Sequence, residues 1–108
     1  MKRIRKSDPE PQALTDFKQR FQHAPAEQTW AKFKTQAQRR NNVKDQLRQD
    51  QRGLCCYCEN TLIPEDESVE HFIARSAAPS RELDWANLLL LTSLWDRLHL
   101  FWCYRAKS

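Results

Sequence analysis

Three groups of residues in this chain have types and spacings that could do chemistry: Cys55-Cys56-Tyr57-Cys58, the pair Glu70-His71, and Asn87 beyond a polar loop. Cys55 and Cys58 stand at the Cys-x-x-Cys interval from which one tetrahedral Zn²⁺ takes two thiolates at about 2.3 Å. They make half a site, and His71, His99 and Cys103 are the later residues whose chemistry could complete it. A redox role for the pair is weaker, because no βαβ pattern surrounds it. Two buried thiols are the plain alternative. His71 is the residue suited to proton transfer, since an imidazole with a pKa near ~6.5 can take a proton from water at cellular pH. Glu70, beside it, is a hard oxygen donor of the kind that Mg²⁺ or Mn²⁺ accepts.

The elements that must hold these groups follow from the hydrophobic periodicity. Leu14, Phe17 and Phe21 recur at helical spacing after Ser7-Asp8-Pro9, which predicts a capped amphipathic helix over 9–22. Trp30, Phe33, Ala37, Val43 and Leu47 mark the buried stripe of a longer helix over 26–52, stopped by Gly53, the single glycine of the chain. Between Leu54 and Ile73 the pattern shortens to two strand-like pieces, Leu62-Ile63 and Val69 to Ile73, joined through Pro64-Glu65-Asp66-Glu67 as a hairpin. Residues 74–84 read as a loop. Asp84 then caps a last, very apolar helix from Trp85 or Ala86 onward, in which Trp85 belongs to the core. Asp96, Arg97 and His99 interrupt that helix, so it is not a membrane span and no membrane role is expected.

With 108 residues the chain reads as one domain, 1–53 forming a helical part and 54–108 the part that carries the chemistry. A hydrophobic fraction of 40% with a charged fraction of 30% suits a soluble folded protein and argues against wholesale disorder. Met1-Lys2-Arg3-Ile4-Arg5-Lys6 leads into polar sequence without an apolar run, so the cytoplasm is the expected compartment and the cysteines are expected as thiols or metal ligands. The net charge of +4 is unevenly spread: Ala31 to Arg52 holds seven basic residues against Asp45 and Asp50, while Glu59 to Glu70 holds five acids and no base. A cationic helix beside an anionic hairpin suits phosphate binding next to a cation site, with Lys32, Arg39, Arg40, Lys44 and Arg48 as candidate contacts to nucleic acid. A solvated helix face is the alternative.

The order of knuckle, hairpin, Glu-His, loop and Asn87 resembles the ββα-metal motif of HNH endonucleases. GLCCYCEN, VEHFIARS and LDWANLL, with the N-terminal segment, are similar to the HNH nuclease subunit of restriction-associated, Septu-type and retron-associated anti-phage defence systems, over residues 1–91 or so. The resemblance implies an α+β fold of N-terminal helices followed by the ββα hairpin-helix, and a metal-dependent endonuclease that hydrolyses DNA. By it, His71 is the general base and Asn87 holds the His-bearing loop by its main chain. Glu70 is then the first ligand for Mg²⁺ or Mn²⁺, Cys55 and Cys58 take structural Zn²⁺, and an ABC- or structural-maintenance-type ATPase is the partner; Asp96, standing where relatives have an Asn or His ligand, and His99, nearly one turn further on, are the candidates to complete the catalytic metal site. The sequence departs from the family where relatives carry cysteines at the positions of Thr92 and Trp95. Its terminus is therefore expected to be shortened or frame-shifted, leaving Trp95, Phe101 and Trp102 as core or as a surface that meets a partner or a second copy. The competing function is a catalytically silent zinc-knuckle module that binds a partner protein or nucleic acid.

Overall fold

A computed structural model describes residues 6–56 and 61–92 of the chain. Three helices, α1 (Gln12–Arg20), α2 (Trp30–Phe33) and α3 (Ala37–Asp50), pack against one antiparallel pair of strands, β1 (Glu67–His71) and β2 (Leu88–Thr92). This is a mixed helix-and-sheet architecture compatible with the expected α+β class.

The single helix expected over 26–52 is broken into two. Thr29 caps α2 by accepting from the Lys32 amide at 3.2 Å, and the helix ends after one turn at Phe33. Helix ends leave carbonyls without intrahelical partners, and here α3 supplies the donors: Arg39 Nε reaches the Phe33 carbonyl at 2.8 Å, its Nη2 reaches that of Lys32 at 2.8 Å, and Arg40 Nη1 reaches that of Lys34 at 2.7 Å. The break shifts the helical phase, so Ala37, expected in the buried stripe, is exposed. Ser7-Asp8-Pro9 does not cap α1, which starts after Pro11; Asn42 of α3 instead accepts from the Ala13 amide at 3.0 Å.

α3 closes in a turn where Arg52 as well as Gly53 is left-handed, with φ of 56° and 74°. Gly53 N donates to Arg48 O at 2.8 Å and Arg52 N to Gln49 O at 3.1 Å, the double hydrogen bond by which such an end satisfies its last carbonyls. The reversal delivers Gln51 and Cys56 to the free edge of β2. Gln51, buried, donates from Nε2 to the Leu90 carbonyl at 2.8 Å and accepts the Leu90 amide at 2.8 Å, pairing with β2 as a strand would. Arg48 ties α3 to β1 through the buried carboxylate of Glu67.

The hairpin differs from the sequence expectation. β1 pairs with β2, Glu67 opposite Thr92 through His71 opposite Leu88, and Leu54 makes only an isolated bridge to Thr61. Residues 88–92 are strand where a helix was expected. Leu88 to Leu91 are buried on both faces of the sheet, and an uninterrupted apolar run carries no period to tell strand from helix. The expected helix beyond Thr92 lies outside the described residues. The core joins Leu14, Phe17, Phe33, Val43 and Leu47 of the helices to Leu62, Leu83, Trp85 and β2.

Replacing Gln51 by Met keeps volume but strands the Leu90 amide in the core. Urea denaturation should show a loss of about 2 kcal/mol with an unchanged m-value.

Candidate active site

His71 is the last residue of β1, and burial at 8% exposure places its ring edge-on to Trp30, 5.6 Å between centroids. Its Nε2 lies 2.9 Å from the main-chain carbonyl of Glu82. A carbonyl only accepts, so Nε2 carries the proton and Nδ1 is left with the lone pair. Burial pushes the imidazole pKa below its ordinary value and the charge of Arg75 acts the same way, while the Glu82 hydrogen bond and the charges of Glu82 and Glu70 oppose them. The net direction is downward, which keeps the ring neutral and basic at neutral pH.

Asn87 fixes the loop that follows. It is 1% exposed, and its carboxamide makes three main-chain bonds: Oδ1 accepts from Ile73 N at 2.8 Å, and Nδ2 donates to Ile73 O and to Arg81 O, each at 3.1 Å. The Phe72 amide donates to the Asn87 carbonyl at 2.9 Å, extending the β1–β2 ladder by one rung. Asn87 stands not at a helix start but in a 3₁₀ turn, Trp85–Asn87, that opens on Asp84, whose Oδ1 accepts the Ala86 amide at 3.2 Å. The expected cap is present; it caps a turn that feeds a strand. The expected loop over 74–84 is irregular apart from a 3₁₀ turn at Pro79–Arg81. Glu82, beyond that turn, accepts the Trp30 amide through Oε1 at 2.9 Å, which ties α2 to the segment holding the imidazole.

The N-terminal segment braces the same turn. Lys6 Nζ donates to the carbonyls of Trp85, at 2.6 Å, and Leu88, on either side of Asn87, and lies 4.0 Å from the Trp85 ring centroid. Burial pushes its pKa down to about 8, against the opposing charges of Asp50 and Asp84. Trp85 is a core residue, as its sequence context suggested, and its Nε1 donates to Ser7 O at 3.0 Å.

The ion-binding expectations are only partly within the described residues. Glu70 is half-buried on β1, on the strand face opposite to His71, although its charge still reaches the imidazole. Asp96, His99, Cys58 and Cys103 lie outside the described residues, among which no group of three His, Cys, Asp or Glu could hold a metal. The donor set for either ion is thus incomplete there. Cys55 is buried, its Sγ 3.9 Å from the main-chain oxygen of Thr92, while the Thr92 hydroxyl donates to Asp66 at 2.9 Å. The chain therefore brings Cys55 beside the position at which the sequence resemblance has its first departed cysteine. Each cation expected to grip nucleic acid donates within the protein: Lys32 to Glu27, Arg39 to the last carbonyls of α2, Arg40 to the Lys34 carbonyl just beyond it, Lys44 to Glu67 O, and Arg48 to Glu67 and Asp45.

The motif order singles out His71 and Asn87, which the fold joins through one loop, and leaves their supports unmarked. The acceptor for His71 is a main-chain carbonyl, which leaves no mark on residue type. Lys6 and Gln51 act across the fold at positions that look like ordinary surface polar residues.

Two outcomes follow from this geometry. In Asn87→Ala three main-chain groups lose their partner, so stability should fall by about 3 kcal/mol and exchange of the Phe72 and Ile73 amides should accelerate far more than that of α3. For His71 the folded pKa lies below the unfolded value, so the unfolded state binds the extra proton and this contribution to stability is lost as pH falls from about 6.5 through the folded pKa. NMR titration should give a midpoint under 6.5, and a midpoint above it would contradict the burial argument.

No protein-family model matches the chain, and no solved structure matches it. Among curated proteins it is 36% identical, over 98 aligned residues, to the "Retron Ec83 putative HNH endonuclease" of Escherichia coli. The alignment takes in 82% of this chain and 36% of that relative, so the chain spans little more than a third of the relative's length. The similarity covers the segment in which His71 and Asn87 meet, and it supports a relationship to HNH endonucleases.

Proposed function

We propose that the chain is the catalytic segment of a metal-dependent HNH-type endonuclease that hydrolyses DNA phosphodiester bonds in anti-phage defence. The observation that carries the reading is the pairing of a neutral imidazole, its tautomer selected by the Glu82 carbonyl, with a carboxamide that pins the main chain two residues after it. The identity to a retron-associated relative supports the same reading.

In this reading His71 Nδ1 takes a proton from water as its oxygen bonds to phosphorus. The P–O3′ bond breaks, leaving a 5′-phosphate, and the departing O3′ takes a proton from solvent to become the 3′-hydroxyl. The Nε2–H donated to Glu82 O holds the ring in place and spreads the charge of the imidazolium that forms. Asn87 prevents the loop from swinging His71 away. Glu70, with Asp96 and His99, would hold Mg²⁺ or Mn²⁺, which when bound neutralises charge on the phosphate and the departing oxygen. Cys55 and Cys58 are retained as a Zn²⁺ half-site. The basic residues from Lys32 to Arg48 draw DNA by their summed charge, which needs no donor left over from their internal bonds. An ATPase subunit that selects the target completes the proposal.

Plasmid nicking in Mg²⁺ or Mn²⁺ tests this. His71→Ala should lose at least about 100-fold in rate with folding retained, and the wild-type rate should climb on an acidic limb centred below pH ~6.5. Wild-type protein that does not nick, or a variant that nicks equally, would favour the silent binding module instead.

A further inference from the structure

Phe72, the residue after His71, is 58% exposed, the large hydrophobic side chain that the fold leaves outside its core among the described residues. Its exposure is not a loose end, because its amide is fixed to the Asn87 carbonyl at 2.9 Å, and the continuing ladder puts its ring on the sheet face of Glu70. Arg75, in the loop held by Asn87 through Ile73, is exposed and makes no hydrogen bond or ion pair among the described residues, in contrast to Arg39, Arg40, Arg48 and Arg81. It lines an open cleft with Ser76, Pro79 and Glu82, and Glu82 is the residue whose carbonyl holds His71. An exposed aromatic and a guanidinium with no hydrogen bond or ion pair among the described residues thus follow His71 by one and four positions along one short segment whose main chain Asn87 pins.

We propose that this segment is a nucleotide-docking site in which Arg75 takes a backbone phosphate and Phe72 stacks on an adjacent base, so that the preferred substrate is a DNA strand whose bases are unstacked. The proposal rests on the nuclease reading and names its substrate form. A flat aromatic stacks on a base only when that base is out of the duplex, and it tolerates any base because each has a π-face. The guanidinium adds a sequence-independent phosphate contact with its own salt signature.

The test uses the full chain carrying His71→Ala, so that no strand is cut, with fluorescence anisotropy on a single-stranded oligonucleotide and on the duplex of the same sequence. Adding Phe72→Ala should weaken single-strand binding roughly tenfold and leave duplex binding within about twofold, while Phe72→Trp restores it. Adding Arg75→Ala should weaken both and reduce the single-strand salt slope by about 0.7. Equal loss on both substrates with Phe72→Ala, an unchanged salt slope with Arg75→Ala, or no binding of either substrate by the His71→Ala protein would overturn the proposal. If these binding differences are found while wild type cuts neither substrate, the docking site stands and the hydrolytic reading fails; cutting by wild type without the binding differences gives the reverse.

Discussion

The site depends on one constraint, the two-way hydrogen bond between the Asn87 carboxamide and the main chain of Ile73. The connection from β1 to β2 is long and mostly irregular, and chain entropy would otherwise let it wander. A carboxamide that accepts from one amide and donates to the carbonyl of the same residue completes a local ladder without a third strand. Because Nδ2 also reaches Arg81 O, both halves of the loop are drawn to one side chain, and Glu82 is thereby carried to His71. Buried polar groups in such a network are costly to leave unpaired, so the network favours a single geometry.

Around that constraint the remaining polar contacts are arranged as braces. Lys6 clamps the carbonyls flanking Asn87, Gln51 covers the edge of β2, and Arg48 anchors Glu67 at the start of β1. A small fold has little core to spare, and here cations and amides do part of the positioning that a larger core would do. The same economy explains why a helix rich in arginine and lysine presents fewer uncommitted donors than its composition suggests. What it keeps is charge, which acts at a distance. Arg75, by contrast, four residues after His71, is exposed and makes no hydrogen bond or ion pair among the described residues, while its charge still reaches the imidazole.

The legible part of the fold was the part with a period or a punctuating residue. Leu14 and Phe17 announced α1, Val43 and Leu47 announced α3, and Gly53 announced its end. The split after Phe33 was hidden because Trp30 and Phe33 fit a helical stripe whether or not it continues, and the interruption depends on Arg39 and Arg40 folding back onto carbonyls. Leu88 to Leu91 were misassigned because a strand buried on both faces loses its alternation. With that strand read as helix, the hairpin partner of Val69 to His71 had to be sought too early, at Leu62-Ile63. His71 and Asn87 stand out through motif order despite that error, since their spacing survives whichever element lies between them.

This fold presents His71 as a neutral base with Nδ1 unprotonated, and does so through the loop that Asn87 closes. Two-bond ¹H–¹⁵N correlation of the imidazole, recorded near neutral pH in wild type and in Asn87→Ala, reads the tautomer directly. Wild type should show a single Nε2–H tautomer and the variant an averaged ring. A wild-type ring that is protonated at Nδ1, or a tautomer untouched by removal of the carboxamide, would contradict this.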